Sequence, residues 1–163
     1  MLRKRRKINI KNGGIIITIF LFSKKICIFA INLKNIKLYN KMIKRYCLTT
    51  ETHEGPNSYI ISRPSILGNP YSHLPEDKCL AIYRCKTRDE AIDAYSRYFD
   101  VMYGSNIKFT NAIDEIYDKY KRGEDIYLGC FCPLSMRCHG DIIIEKLQKK
   151  LIKEKIKERK ISI

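Results

Sequence analysis

The chain has 163 residues, 45% of them hydrophobic and 30% charged, which suits one globular domain and excludes a disordered chain or two full-sized domains. Its net charge of +15 points to polyanions, but the charge is confined to the ends: residues 1–41 hold eleven Lys and Arg with no acid, and residues 146–163 hold eight against Glu154 and Glu158. Between them, residues 42–145 set 13 basic side chains against 15 acidic ones, so any attraction of nucleic acid by counterion release belongs to the ends.

The seven cysteines (27, 47, 79, 85, 130, 132 and 138) are odd in number, and only three of them cluster. This pattern fits free, metal-bound or catalytic thiols in a reducing, intracellular compartment better than a disulfide scaffold.

Residues 1–41 run through a basic start, the apolar stretch Ile15 to Phe22, a Ser-Lys-Lys break and a second short apolar run. Eight apolar residues are too few for a spanning helix, which needs about twenty, so no membrane partner is expected. A basic segment before a short apolar run resembles a signal peptide, but no small-x-small cleavage site follows Phe22. The abrupt change of composition at Met42 supports a third reading. In that reading Met42 is the true start, residues 1–41 are translated upstream sequence or a dispensable extension, 42–148 form the domain, and 149–163 form a basic helical tail.

From Met42 the pattern becomes regular. Ile43 to Thr49 suits a first strand, and the β-branched run Ser58 to Ser62, bounded by prolines, suits a buried second strand. Arg63 to Tyr71, with two prolines and a glycine, must be an ordered loop, and His73 to Lys86 a lid or surface excursion. Thr87 and Glu90 form a capping box that opens a helix with Ala91, Tyr95, Tyr98 and Met102 on one face, stopped by Gly104. A second helix spans Thr110 to Arg122, with Gly123 ending it. Asp125 to Cys132 is short and apolar, as expected of a central strand. A last helix begins at Asp141, with Ile144, Leu147 and Leu151 inward. Strands alternating with helices indicate an α/β fold: a single small layered domain with a short, mostly parallel, Rossmann-like sheet.

The strongest chemical signal is the run from Cys130 to Asp141. The strand period puts Cys130 and Cys132 on one face, and Pro133 ends the strand. Cys138, His139, Gly140 and Asp141 then fall where a helix begins, at the carboxyl edge where open α/β sheets bind ligands. A thiol there is expected to have a depressed pKa, making Cys138 the nucleophile. His139 would be base, shuttle or orienter. Asp141 would fix the imidazole, cap the helix or accept a proton, and Gly140 would let a ligand approach the backbone. The alternative is zinc held by Cys130, Cys132, Cys138 and His139. Against it stands the spacing, together with the divergence of about 100° between neighbouring residues of a helix. In the first loop, Arg63 offers an anion-binding fork, Ser65 and Asn69 offer hydrogen bonds, and Gly68 offers close backbone contact.

The two segments, YIISRPSILGNPY and LGCFCPLSMRCHGDIIIEKL, together resemble the domain of unknown function family 4326 of bacteria, phages and large viruses. That family has paired motifs of the form GRPS-x-x-GNP and C-x-C-x-P-x-x-CHGD, and Ser62 replaces its usual glycine. The resemblance implies a compact intracellular domain and no particular activity. The residues themselves suggest a domain that binds or acts on a nucleotide, nucleobase or similar small anionic metabolite. The rival reading is a non-catalytic zinc-stabilised module whose basic ends bind nucleic acid or another viral component.

Overall fold

A computed structural model describes residues 7–12, 15–22, 25–32 and 42–161, with side chains from 42 to 158. The chain divides into two compact units, Met1–Lys41 and Met42–Ile163. In the first, strands β1 (Lys7–Asn12), β2 (Ile15–Phe22) and β3 (Lys25–Asn32) form an antiparallel meander. Asn12 faces Ile15, and Phe22 faces Lys25. The sequence reading assigned no element here, although runs of Ile, Thr and Phe separated by pairs of polar or glycine residues are the composition of a meander.

The second unit is an α/β domain. Its parallel sheet has the order β4–β8–β5, built from Ile43–Cys47, Ile126–Cys130 and Ser58–Ile60. β8 is central, as its apolar composition predicts, but it ends at Cys130 and not at Cys132. β5 is shorter than expected and lies at the edge. Its Ile60 is 60% exposed, and only the following Ile61 and Ser62 are buried. Two-residue strands β6 (Tyr71–Ser72) and β7 (Tyr83–Arg84) pair in parallel at the two ends of the His73–Lys86 segment.

Three helices complete the domain: α1 (Arg88–Ser105), α2 (Ile107–Arg122) and α3 (His139–Ile161). Thr87 caps α1 by accepting a hydrogen bond from the Glu90 amide, while the Glu90 carboxylate accepts from the Lys86 amide. Helical geometry fails at Tyr103 and Gly104, and Gly104 takes φ of 114°, a conformation costly for any residue with a Cβ. Asn106 then caps α2 through Phe109 N, so that helix starts three residues earlier than the sequence reading placed it. Gly123 closes it in the left-handed conformation.

The helices bury one face of the sheet. Ile43, Ile126, Leu128 and Cys130 join Tyr95, Phe109, Ile113, Ile116, Ile143 and Leu147 in one apolar cluster, each large aliphatic side chain contributing about 1.5–3 kcal/mol. The packing extends past residue 148: Leu151 is in the cluster, and Lys150 bridges Tyr103 and Asp114. Tyr46 and Tyr127 occupy the opposite face, where His53 stacks on Tyr127 and meets Tyr46 edge-on. With all three strands parallel, Cys47, Ile60 and Cys130 end at one edge, and both chemically promising loops leave from it. Among the described residues, no helix is long and apolar enough to cross a membrane.

A cysteine and histidine cluster beneath a cationic cavity

The loop after β5 uses its polar groups on itself. Asn69 is buried; its Nδ2 donates to Ala91 O at 3.1 Å, and its Oδ1 accepts from Tyr71 N at 2.9 Å. Ser65 Oγ accepts from Leu67 N. A Cβ on Gly68 would stand 2.9 Å from Ser65 O and 3.0 Å from Arg63 Cα, so glycine is needed here to fold the loop back on itself. Ser65 and Gly68, expected to touch a ligand, therefore shape the loop and lie outside the cavity described below. Arg63 uses Nη1 to hold Asn69 O and Tyr71 O, and still lines that cavity.

The loop after β8 is held by a residue that no sequence motif marked. The side chain of Arg45 on β4 is only 6% exposed, and its guanidinium donates to the carbonyls of Cys132, Pro133, Leu134 and Met136 at 2.9–3.3 Å and to Asp141 Oδ1 at 2.9 Å. Asp141 Oδ2 accepts from Cys138 N at 2.8 Å, closing the start of α3. Both Asp141 oxygens are thus engaged, and Asp141 is a helix cap outside the cavity, not a group at a reacting centre. A Cβ on Gly140 would meet Ile61 Cδ1 at 2.8 Å and Arg45 Cδ at 2.9 Å. Gly140 therefore lets α3 approach the sheet, not a ligand.

The loop converges on sulfur. Cys130, Cys132 and Cys138 place their Sγ atoms within 4.8 Å of one another. Cys138 precedes α3, with its Sγ accepting from Gly140 N at 3.4 Å, and His139 is the first helical residue. The expected divergence of these neighbours does not occur: His139 Nδ1 lies 3.5 Å from Cys138 Sγ and 4.0 Å from Cys130 Sγ. His139 Nε2 sits 2.8 Å from Ile61 O. A carbonyl only accepts, so Nε2 carries the hydrogen and Nδ1 turns its lone pair towards the sulfurs. Burial lowers the His139 pKa and keeps the ring neutral. The imidazole is thus oriented by a backbone carbonyl 78 residues away and not by Asp141.

Electrostatics separate the three thiols. Hydrogen bonds from Cys130 and Cys138, helped by Arg88 Nη1 at 3.5 Å, hold the Cys132 thiol far below its usual range. Sharing protons with that sulfur raises Cys130, and Cys138 is raised strongly by its hydrogen bonds to Cys130 and Cys132 and by burial. The depressed pKa expected at Cys138 is not found: its hydrogen bonds to Cys130 and Cys132 and its burial raise it. Cys138 is 1% exposed, whereas Cys132 is half-buried beside an arginine. Arg88, the first residue of α1, also donates to Arg137 O at 3.0 Å and ties the helix to the loop.

Above the cluster opens a cavity of about 420 Å³. Its floor is Cys130, Cys132, Cys138 and His139. Arg63, Asn69 and Arg88 line one part of it, and Leu74, Lys78, Cys79 and Leu80 from the His73–Lys86 segment line another. Among the described residues, no Asp or Glu lines it. Arg63 and Cys138 share this cavity, as their positions after neighbouring strands predict. All six cysteines of the domain are free.

The family described as domain of unknown function DUF4326 matches residues 47–149, which include both loops and every cavity-lining residue. No curated protein and no solved structure matches the chain.

Proposed function

Given that the chain belongs to the DUF4326 family, whose description carries no activity, we propose its function from the site: it binds a small anionic metabolite of the nucleotide or nucleobase class above its cysteine–histidine cluster. One observation carries this reading. The cavity at the carboxyl edge presents Arg63, Lys78 and Arg88 without a lining carboxylate, so an anion entering it meets three cationic side chains and no acidic one. Its volume falls within the range of small-molecule sites, and Arg63 and Arg88, although partly engaged with the loops, bring positive charge to its wall. The free thiols suit a reducing compartment. A second reading, salt-dependent contact with nucleic acid, draws on the exposed Lys153 and Lys157 near the end of α3.

Calorimetric titration of the full chain with inorganic phosphate, AMP and adenosine tests the proposal. Phosphate and AMP should bind and adenosine should bind more weakly. Lys78→Ala should weaken both anions roughly 2- to 5-fold, the worth of one exposed, solvent-screened charge contact, with the melting temperature unchanged. Absence of anion binding, or binding indifferent to Lys78→Ala, would set this reading aside.

A further inference from the structure

We infer that Cys130, Cys132, Cys138 and His139 Nδ1 form a binding site for one thiophilic divalent cation of the zinc class. This inference is independent of what occupies the cavity above. The distances carry it. Four donors around zinc, with Zn–S of about 2.3 Å and Zn–N of about 2.0 Å, lie about 3.8 Å apart for sulfur pairs and about 3.6 Å apart for sulfur and nitrogen. Here the three sulfurs lie within 4.8 Å of one another, and His139 Nδ1 stands 3.5 Å and 4.0 Å from two of them. A contraction of up to about 1 Å brings the three sulfurs to zinc spacing, and His139 Nδ1 already stands near that spacing from Cys138 and Cys130.

The surroundings match those of a metal ligand set. Metal-bound histidines donate their remaining N–H to a carboxylate or a backbone carbonyl, which fixes the tautomer. His139 does so to Ile61 O, leaving Nδ1 unprotonated and directed at sulfur inside the protein. Gly140 N donates to Cys138 Sγ, and Arg88 Nη1 to Cys132 Sγ. Three thiolates around a divalent cation leave one negative charge, which the Arg88 guanidinium balances. Arg45 fixes the carbonyls of the ligand-bearing loop, so the donors come from a loop already held in place. Soft sulfur donors select zinc, cobalt or cadmium over magnesium or calcium, and binding releases the thiol protons to solvent.

The full chain, stripped with a chelator under a phosphine reductant and desalted, is titrated with Co²⁺. One equivalent should produce sulfur-to-cobalt charge transfer and the visible bands of a tetrahedral ion, both displaced by Zn²⁺. Cys132→Ser should weaken zinc more than about 100-fold, beyond the usual effect of losing an outer-shell partner. Because His139→Ala empties a buried position, the fourth donor is tested in the unaltered chain by ¹¹³Cd NMR, where one cadmium resonance coupled to an imidazole nitrogen is expected. Absence of charge transfer, binding untouched by Cys132→Ser, or a cadmium resonance without nitrogen coupling would each overturn the assignment. Lys78→Ala, which tests the anion reading, should leave the cobalt spectrum unchanged, so the two readings fail separately.

Discussion

Two loops leave the same edge of the sheet, and they use their polar side chains in opposite ways. In the loop after β5, Ser65 and Asn69 close hydrogen bonds onto backbone groups, and Arg63 holds two carbonyls of its own loop. In the loop after β8 the backbone is held from outside by Arg45, and the local side chains, three thiols and an imidazole, are left to face one another. A motif rich in donors and acceptors is therefore not in itself a ligand site; what matters is whether its polar atoms already have partners. The first loop builds a wall and contributes the charge of Arg63, and the second supplies the chemistry.

The comparison can be broken most forcefully at Arg45. Arg45→Met keeps the aliphatic stem and removes the donors to four carbonyls and Asp141. It should cost about 3 kcal/mol, as expected for removing a buried charged partner, read from urea unfolding. Hydrogen-exchange protection should fall around residues 132–136. A loss below about 0.5 kcal/mol would show that the loop holds itself. Asn69→Ala tests the other loop: the freed Ala91 carbonyl and Tyr71 amide should cost about 2 kcal/mol. Any loss of anion affinity should follow from that destabilisation, unlike Lys78→Ala, which should alter affinity alone.

The smallest effect is a control that should spare both loops. Asp114 accepts from Tyr103 at 2.6 Å and pairs with Lys150 at 2.8 Å. Partial burial favours its neutral form, but the hydrogen bonds from Lys150 and Tyr103 outweigh that and hold its pKa below 3.8. Its contribution to stability is thus complete above pH 3.8 and declines as pH falls through the folded-state value. A melting series should show this loss below pH 4 in the intact chain and lack it in Asp114→Asn, with no change in the cavity resonances above pH 5.

The sequence alone determined whatever is encoded within a few residues. The Thr87–Glu90 cap, the breaks at Gly104 and Gly123, the apolar central strand and the placing of Cys138–His139 at a strand-to-helix turn were all legible, because capping, left-handed glycines and hydrophobic period are local physics. The meander in residues 7–32 carried β-branched runs that would have marked its strands. Only the tertiary structure decided the role of each polar atom. Arg45 finds Asp141 across 96 residues, Arg88 finds Cys132 across 44, and the Ile61 carbonyl fixes His139 across 78. No local pattern announces such pairs, because they exist only once parallel pairing brings three strand ends to one edge. That packing makes Asp141 a cap and Gly140 a close-contact residue, and it raises the Cys138 pKa that chain position alone would lower, since burial and hydrogen-bond partners set where a proton stays.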